Sequence, residues 1–99
     1  MNVNIARREL ELQHEDGTAG VVTVSIGAPE GWTDGAGYFC RIDIVGLERE
    51  FHLQGGGADP MQALVLSLRM IGVTLKHSIE AKQGRLTWQG KPDLGFPMD

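Results

Sequence analysis

The chain has 99 residues, of which 41% are hydrophobic and 22% are charged, as in ordinary globular proteins and unlike disordered ones. A chain of this length builds one hydrophobic core, so we predict a single domain over residues 1–99. Its one cysteine, Cys40, excludes an internal disulfide and any metal site built from a cysteine cluster.

The formal charge of −4 is unevenly distributed along the chain. Residues 1–59 hold ten acidic and four basic side chains, a net charge of −6, whereas residues 60–99 hold three acidic and five basic ones, a net charge of +2. An acidic first half disfavours nucleic acid as a partner and favours a basic protein. Met1 to Ile5 lack the apolar core of a signal peptide, so we expect a cytoplasmic protein with no membrane partner.

Residues 1–54 are predicted to form an antiparallel four-strand meander. Val3 to Leu12 changes the phase of its apolar positions, which predicts a β-bulge near Arg7 to Glu9. Gly20 to Ile26 alternates cleanly between apolar and polar residues, as a half-buried strand does. The four strands should bury one face and leave the other in solvent.

The second half of the predicted sheet follows a long loop. Gly27 to Gly37 contains glycines and a proline that should not propagate a strand. The last two strands are predicted to join through a two-residue turn at Gly46-Leu47, which pairs Ile42 with Phe51 on an apolar face.

Residues 59–83 are predicted to form one continuous helix that packs across the inner face of the sheet. Asp59 can cap the helix, Pro60 suits its first position, and Gln62 completes a capping box. A stripe of apolar residues at helical spacing is predicted to face the core, and consists of Met61, Leu64, Val65, Leu68, Ile71, Gly72, Leu75 and Ile79.

A second apolar strip runs along the helix through Leu66, Met70 and Val73, with Ala63 and Ala81. A helix that is apolar on two sides must be covered twice. Either residues 85–99, a short closing strand or apolar tail, cover this strip or an edge of the sheet, or the protein forms a homodimer through the strip. The predicted fold class is α+β with two layers.

Residue types and spacing predict no catalytic, cofactor-binding or metal-binding residues. Gly55-Gly56-Gly57 lies before a helix but lacks the lysine and hydroxyl residue of a phosphate loop, so we predict a hinge. The three histidines lack metal-ligand spacing. Asp43 should face Glu50 across the hairpin on the solvated side, without a pocket around the pair.

The candidate partner-binding residues centre on Trp32, which lies between Glu30 and Asp34 in the long loop. An exposed tryptophan is a typical interface anchor, and neighbouring carboxylates would steer a basic partner. The other candidates on this acidic side are Asp43, Glu48 and Glu50. Alternatively, the Trp32 indole folds back as a lid over one end of the helix.

Several motifs in the second half of the chain resemble a family of small uncharacterised bacterial proteins. The matching segments are Gly57-Ala58-Asp59-Pro60-Met61-Gln62-Ala63-Leu64, Leu68-Arg69-Met70-Ile71-Gly72, Arg85-Leu86-Thr87-Trp88 and Asp93-Leu94-Gly95-Phe96-Pro97. The resemblance implies no activity and no catalytic residue. In size and charge the chain is similar to the immunity proteins that accompany secreted toxins.

Three functional hypotheses follow. The first is a non-enzymatic binding protein, an inhibitor or immunity protein that occludes a basic toxin or effector with its acidic side. The second is a homo-oligomeric scaffold or adaptor that associates through the helix. The third is a small-molecule or enzymatic role in a pocket between helix and sheet.

Overall fold

The computed structural model describes residues 3–97, which form a six-stranded, mostly antiparallel sheet with one long helix across one face. β6, β1, β2 and β4 lie side by side in that order, and β4 also pairs with β3 and β5. The elements in chain order are β1 (Asn4–Gln13), β2 (Ala19–Gly27), β3 (Glu30–Gly31), β4 (Tyr38–Val45), β5 (Phe51–Gly57), α1 (Pro60–Lys76), α2 (Ile79–Lys82) and β6 (Leu86–Thr87).

The architecture agrees with the α+β class, but the predicted count of four strands is wrong. The four longer strands β1, β2, β4 and β5 pair in sequence as predicted. Two short strands add to them, because Glu30–Gly31 pairs with the start of β4 and Leu86–Thr87 pairs with β1. The segment from Gly27 to Gly37, predicted as a loop throughout, therefore contains β3.

The irregularity in β1 lies between Asn4 and Ala6, closer to the N-terminus than predicted. Val3 and Ile5 are 58% and 50% exposed, whereas burial begins at Leu10. The change of phase is therefore not corrected by a bulge that buries both sets of residues. Instead, the first apolar positions of β1 lie outside the core.

The β4–β5 hairpin has a longer loop than predicted. Ile42 pairs with Leu53 and not with Phe51, a shift of two residues that leaves every side chain on its predicted face. Leu47 explains the shift, because it folds into the core and is only 6% exposed. A two-residue turn would hold this leucine at a tip in solvent, and the wider loop buries it.

The N-terminus of α1 has the predicted capping box. Asp59 Oδ1 accepts a hydrogen bond from the Gln62 backbone amide at 2.7 Å, and Gln62 Oε1 accepts one from the Ala58 amide at 2.7 Å. The prediction of one continuous helix over 59–83 is wrong, because α1 ends at Lys76 and α2 begins after Ser78. The Ser78 hydroxyl donates to the Leu75 carbonyl and accepts from the Ala81 amide, so it replaces backbone helix bonds at the break.

The buried face of α1 is rotated from the predicted stripe. Met61 and Val65 are 78% and 46% exposed, and Ile79 in α2 is also exposed. Two small residues outside the predicted core-facing stripe, Ala63 and Ser67, are buried instead. The full buried set of α1 is Ala63, Ser67, Ile71, Gly72 and Leu75.

Glycines in β5 cause this rotation. A Cβ atom on Gly55 would lie 2.0 Å from Ser67 Oγ, and one on Gly57 would lie 2.4 Å from the Ala63 backbone nitrogen. Ser67 also donates a hydrogen bond to the Gly55 carbonyl at 3.2 Å. The glycines predicted as a hinge therefore belong to a strand, where they let the small side chains of α1 approach the backbone closely.

The tail after β6 packs near β1 and the Leu68 side of α1. The Arg8 guanidinium lies 3.9 Å from the centroid of the Trp88 ring and 4.8 Å from that of Phe96, and it donates to the Leu94 carbonyl at 3.0 Å. These cation–π and hydrogen-bond contacts hold the tail against the core. Of the two placements predicted for residues 85–99, cover of a sheet edge is confirmed, because β6 pairs with β1. Cover of the second apolar strip is wrong, because Leu66, Met70 and Val73 are 37%, 37% and 44% exposed.

The glycine contacts generate a stability prediction. We expect Gly55→Ala to lower the free energy of unfolding by about 1–3 kcal/mol, the usual cost of overpacking, because the new methyl group would overlap Ser67. Gly56→Ala is the matched control, since its Cβ would meet no atom closer than 3.7 Å. Urea unfolding of both variants measures the difference, and equal stabilities would contradict the proposed contact.

Candidate functional site

Within residues 3–97, the face of the sheet opposite α1 is left without a second layer. On β4, Cys40, Ile42 and Ile44 are buried beneath the helix, while Arg41 and Val45 point the other way and are exposed. We call this surface the open sheet face. Its side chains come from the outward positions of β1, β2, β4 and β5, and from β3 with the loop that follows it.

Trp32 lies at one end of the open sheet face. Its ring stacks on Phe39 with centroids 4.2 Å apart and an interplanar angle of 30°. The loop is tight, because the Trp32 amide donates to the Gly37 carbonyl and the Gly35 amide donates to the Trp32 carbonyl. Trp32 covers Phe39, which is 6% exposed, and yet remains 41% exposed itself. The indole is thus a cover for the sheet, not for a helix end, and its outer ring surface is accessible.

The two acidic neighbours of Trp32 have local partners. Glu30 Oε2 accepts from Arg41 Nε at 3.1 Å, and Asp34 Oδ1 accepts from the Ala36 amide at 2.9 Å. The first contact is a partly exposed ion pair, and the second stabilises the turn that presents the indole. Both carboxylates stay at the surface beside the ring.

The predicted opposition of Asp43 and Glu50 is wrong, because the register shift places His52 opposite Asp43. His52 Nδ1 lies 2.7 Å from Asp43 Oδ1, and Nε2 lies 3.4 Å from Glu50 Oε2. The hydrogen bond to Asp43, followed by that to Glu50, raises the pKa of His52 above its ordinary value. One imidazole therefore joins two acidic residues that sequence reasoning had paired directly.

The six predicted partner-binding residues lie in a row and do not form one cluster. Trp32 and its neighbours lie beside the start of β4, Asp43 lies within β4, and Glu48 and Glu50 lie in the loop after it. Eight residues of β4 correspond to roughly 25 Å at the rise of an extended strand. Together these residues can contact an extended partner surface, and they do not converge on a small molecule.

Glu80 is a structural residue that sequence reasoning missed. It is 4% exposed, and its Oε2 accepts from the Glu48 backbone amide at 2.7 Å, which fastens the β4–β5 loop to α2. The break at Ser78 redirects the chain, and Glu80 in α2 is buried. The only local signal was a serine with strong capping preference inside the predicted helix.

The cavities are surface grooves of moderate size. The helix–sheet cavity lined by Ile26, Leu68 and Phe96 measures about 100 Å³, below the roughly 300–1,000 Å³ of typical ligand sites. A groove of about 440 Å³ lies between the β4–β5 loop and α2, beside Glu80. Burial raises the pKa of the Cys40 thiol, which disfavours the reactive thiolate. Within residues 3–97 no group of three potential metal ligands is present.

His52 gives a pH-dependent prediction. Its raised pKa means that the folded state binds a proton more tightly than the unfolded state, so this histidine stabilises the fold at low pH. That contribution is complete below the unfolded-state pKa and is lost as the pH rises through the folded-state pKa. We expect Asp43→Asn to lower the His52 pKa more than Glu50→Gln does, because the Asp43 contact is shorter.

Proton NMR titration of the His52 ring in the two variants measures this order. A larger change in Glu50→Gln would show that the geometry of the cluster differs from the one described.

Comparison with known proteins adds a family and no activity. No helix in the described part of the chain is long and apolar enough to cross a membrane. No curated protein and no solved structure matches the chain significantly. A family model described as a domain of unknown function, DUF6968, matches residues 6–98, nearly the whole length. The expectation of an uncharacterised family is thereby confirmed, and the chain belongs to the DUF6968 family.

Proposed function

We propose that this protein is a non-enzymatic binding module whose open sheet face occludes a basic protein, as an inhibitor or immunity protein does for a toxin or effector. The observation that carries the proposal is Trp32, a 41% exposed indole that stacks on Phe39 in a row of carboxylates. We expect this interaction in the cytoplasm.

The aromatic pair suits an anchor of binding energy. A tryptophan brings a large contact area, and the stack on Phe39 restricts its rotamers before any partner arrives. Hot spots in protein interfaces are enriched in tryptophan and lie in regions that exclude water on binding. The outer surface of the Trp32 ring is therefore the centre of the proposed interface.

The acidic row suits the steering of a basic partner. Glu30 is paired with Arg41 and Asp43 with His52, but both contacts lie at the surface, where ion pairs stabilise a fold only weakly. A partner's lysine or arginine can therefore replace the internal partner at little cost. Glu48 adds an exposed carboxylate whose position depends on the bond from its amide to Glu80.

The first functional prediction concerns Trp32→Ala. We expect it to raise the dissociation rate of the complex on the order of thirtyfold, which corresponds to a hot spot of about 2 kcal/mol. Loss of the stack on Phe39 should cost about 0.5–1.5 kcal/mol of folding stability in addition to the apolar area that it exposes. Trp32→Phe is the matched control, because it keeps an aromatic ring on Phe39.

The partner for this measurement is sought as the product of the neighbouring gene, and binding is followed by surface plasmon resonance. Strong destabilisation of Trp32→Ala combined with unchanged kinetics would identify the indole as a structural cover and reject the binding surface.

The second functional prediction concerns charge. We expect reversal of Glu48 and Glu50 to lysine to slow association and leave dissociation nearly unchanged, because these carboxylates lie at the rim of the proposed interface. The effect should shrink as salt is added, since screening weakens interactions between exposed charges. Reversal of Asp93, which lies in the groove between α1 and the tail, is the control. An association rate that changes neither with the charge reversals nor with the salt concentration would exclude electrostatic steering by these carboxylates.

A further inference from the structure

β5 is an unprotected edge of the sheet. In the described part of the chain it pairs with β4 on one side and with no strand on the other. Its seven residues, Phe51–Gly57, include no proline and no lysine, the residues with which proteins commonly block an edge. The opposite edge of the sheet differs, because β6 covers part of β1 and Arg8 ties the tail beside it.

An apolar strip of α1 lies next to this edge. Ala63 and Ser67 sit over Gly57 and Gly55, and α1 as a whole lies over β4 and β5, beside this edge. The next residues around the helix, on the side away from the tail, are Leu66, Met70 and Val73. We call these three the overhanging strip, and each is more than one third exposed. An open strand and an apolar strip thus form one continuous surface.

We propose that a second copy of this chain covers both features, by antiparallel pairing of β5 with β5 of the second copy about a two-fold axis at Gln54. This inference rests on the edge and the helix and is independent of the proposed function.

The sequence of β5 is complementary to itself in this register. Gln54 faces Gln54 of the second copy, where the two amides can hydrogen-bond across the axis. Every larger residue faces a glycine: Phe51 pairs with Gly57, His52 with Gly56 and Leu53 with Gly55. No like charges are opposed, and bulky side chains do not meet across the new strand pair. A two-fold axis also makes the interface closed, since the same surface is used by both copies.

The helix layer fits the same arrangement. α1 lies over β4 and β5, and neighbouring strands are about 4.8 Å apart, so pairing of the two β5 strands would place the two helix axes roughly 10 Å apart. This distance is within the range of packed helices, about 8–10 Å. The overhanging strips of the two copies would then meet above the strand pair. The open sheet face stays uncovered because the two sheets extend each other side by side.

The first test is the mass in solution, measured by sedimentation equilibrium over a dilution series. We expect the wild-type protein to have twice the chain mass of 10.8 kDa. Met70→Glu places two charges in the apolar contact, and Gln54→Lys opposes two like charges at the axis, so each should give monomers. Met61→Glu is the matched control, because Met61 lies on the opposite flank of α1 and is 78% exposed. It should remain a dimer.

The second test is a cross-link that detects the register without weakening the interface. Residues opposite each other in antiparallel strands have Cα atoms about 4.5–5.5 Å apart, within the range that a disulfide spans. We expect Gln54→Cys to form a covalent dimer under mild oxidation. Val21→Cys, exposed on the open sheet face, should not. The native Cys40 is fully buried and should not interfere.

Dimeric wild type, monomeric Met70→Glu and Gln54→Lys with native circular dichroism, and a cross-link confined to Gln54→Cys would together support the proposal. A monomeric wild-type protein would overturn the proposal, and the β5 edge would then be available only to a strand of a different protein. A dimer that survives both charged variants, or that cross-links equally well through Val21→Cys, would also overturn it, because the contact would then lie elsewhere.

Discussion

The structure depends on a close contact between a helix and a strand that both carry small residues. Gly55 and Gly57 in β5 leave no room for a side chain, and Ser67 and Ala63 in α1 lie directly against their backbone. The hydrogen bond from Ser67 to the Gly55 carbonyl satisfies the one polar side chain in this contact. Backbone approaches of this kind fix the rotation of a helix, because no other face of α1 is small enough to fit.

This rotation determines which surfaces remain for partners. Since α1 lies over β4 and β5 at one edge of the sheet, residues on one flank extend beyond that edge, and Met70 is an apolar side chain that is 37% exposed. The helix occupies one face of the sheet only, so the face that carries Trp32 and Asp43 stays open. Two candidate interfaces therefore have a single structural origin. One, acidic and aromatic, lies on the open sheet face, and the other, apolar, lies on the helix side at the β5 edge.

Several motif residues of the second half have structural roles. Asp59 and Gln62 cap the helix with two hydrogen bonds at 2.7 Å. Gly95 has a φ of +79°, and a Cβ there would lie 2.4 Å from the ring of Trp88, which is itself covered by Arg8. These motifs specify a helix start and a packed tail. The residues proposed to contact a basic partner lie outside these motifs, whereas Met70 of the overhanging strip belongs to one of them.

Some features of this protein depend only on residues that are close together in the sequence. The cap at Asp59, the pairing order of the longer strands and the faces of β4 were all predictable, because caps and alternation act over a few residues. Tertiary packing decided the rest. The turn between β4 and β5 is wider than predicted, Leu47 is buried in it, and His52 lies opposite Asp43 as a result. The helix breaks at Ser78, and Glu80 after the break accepts a hydrogen bond from the widened loop. Periodicity could not show these outcomes, because each depends on a contact between segments distant in sequence, and burial of one side chain outweighs a local turn preference.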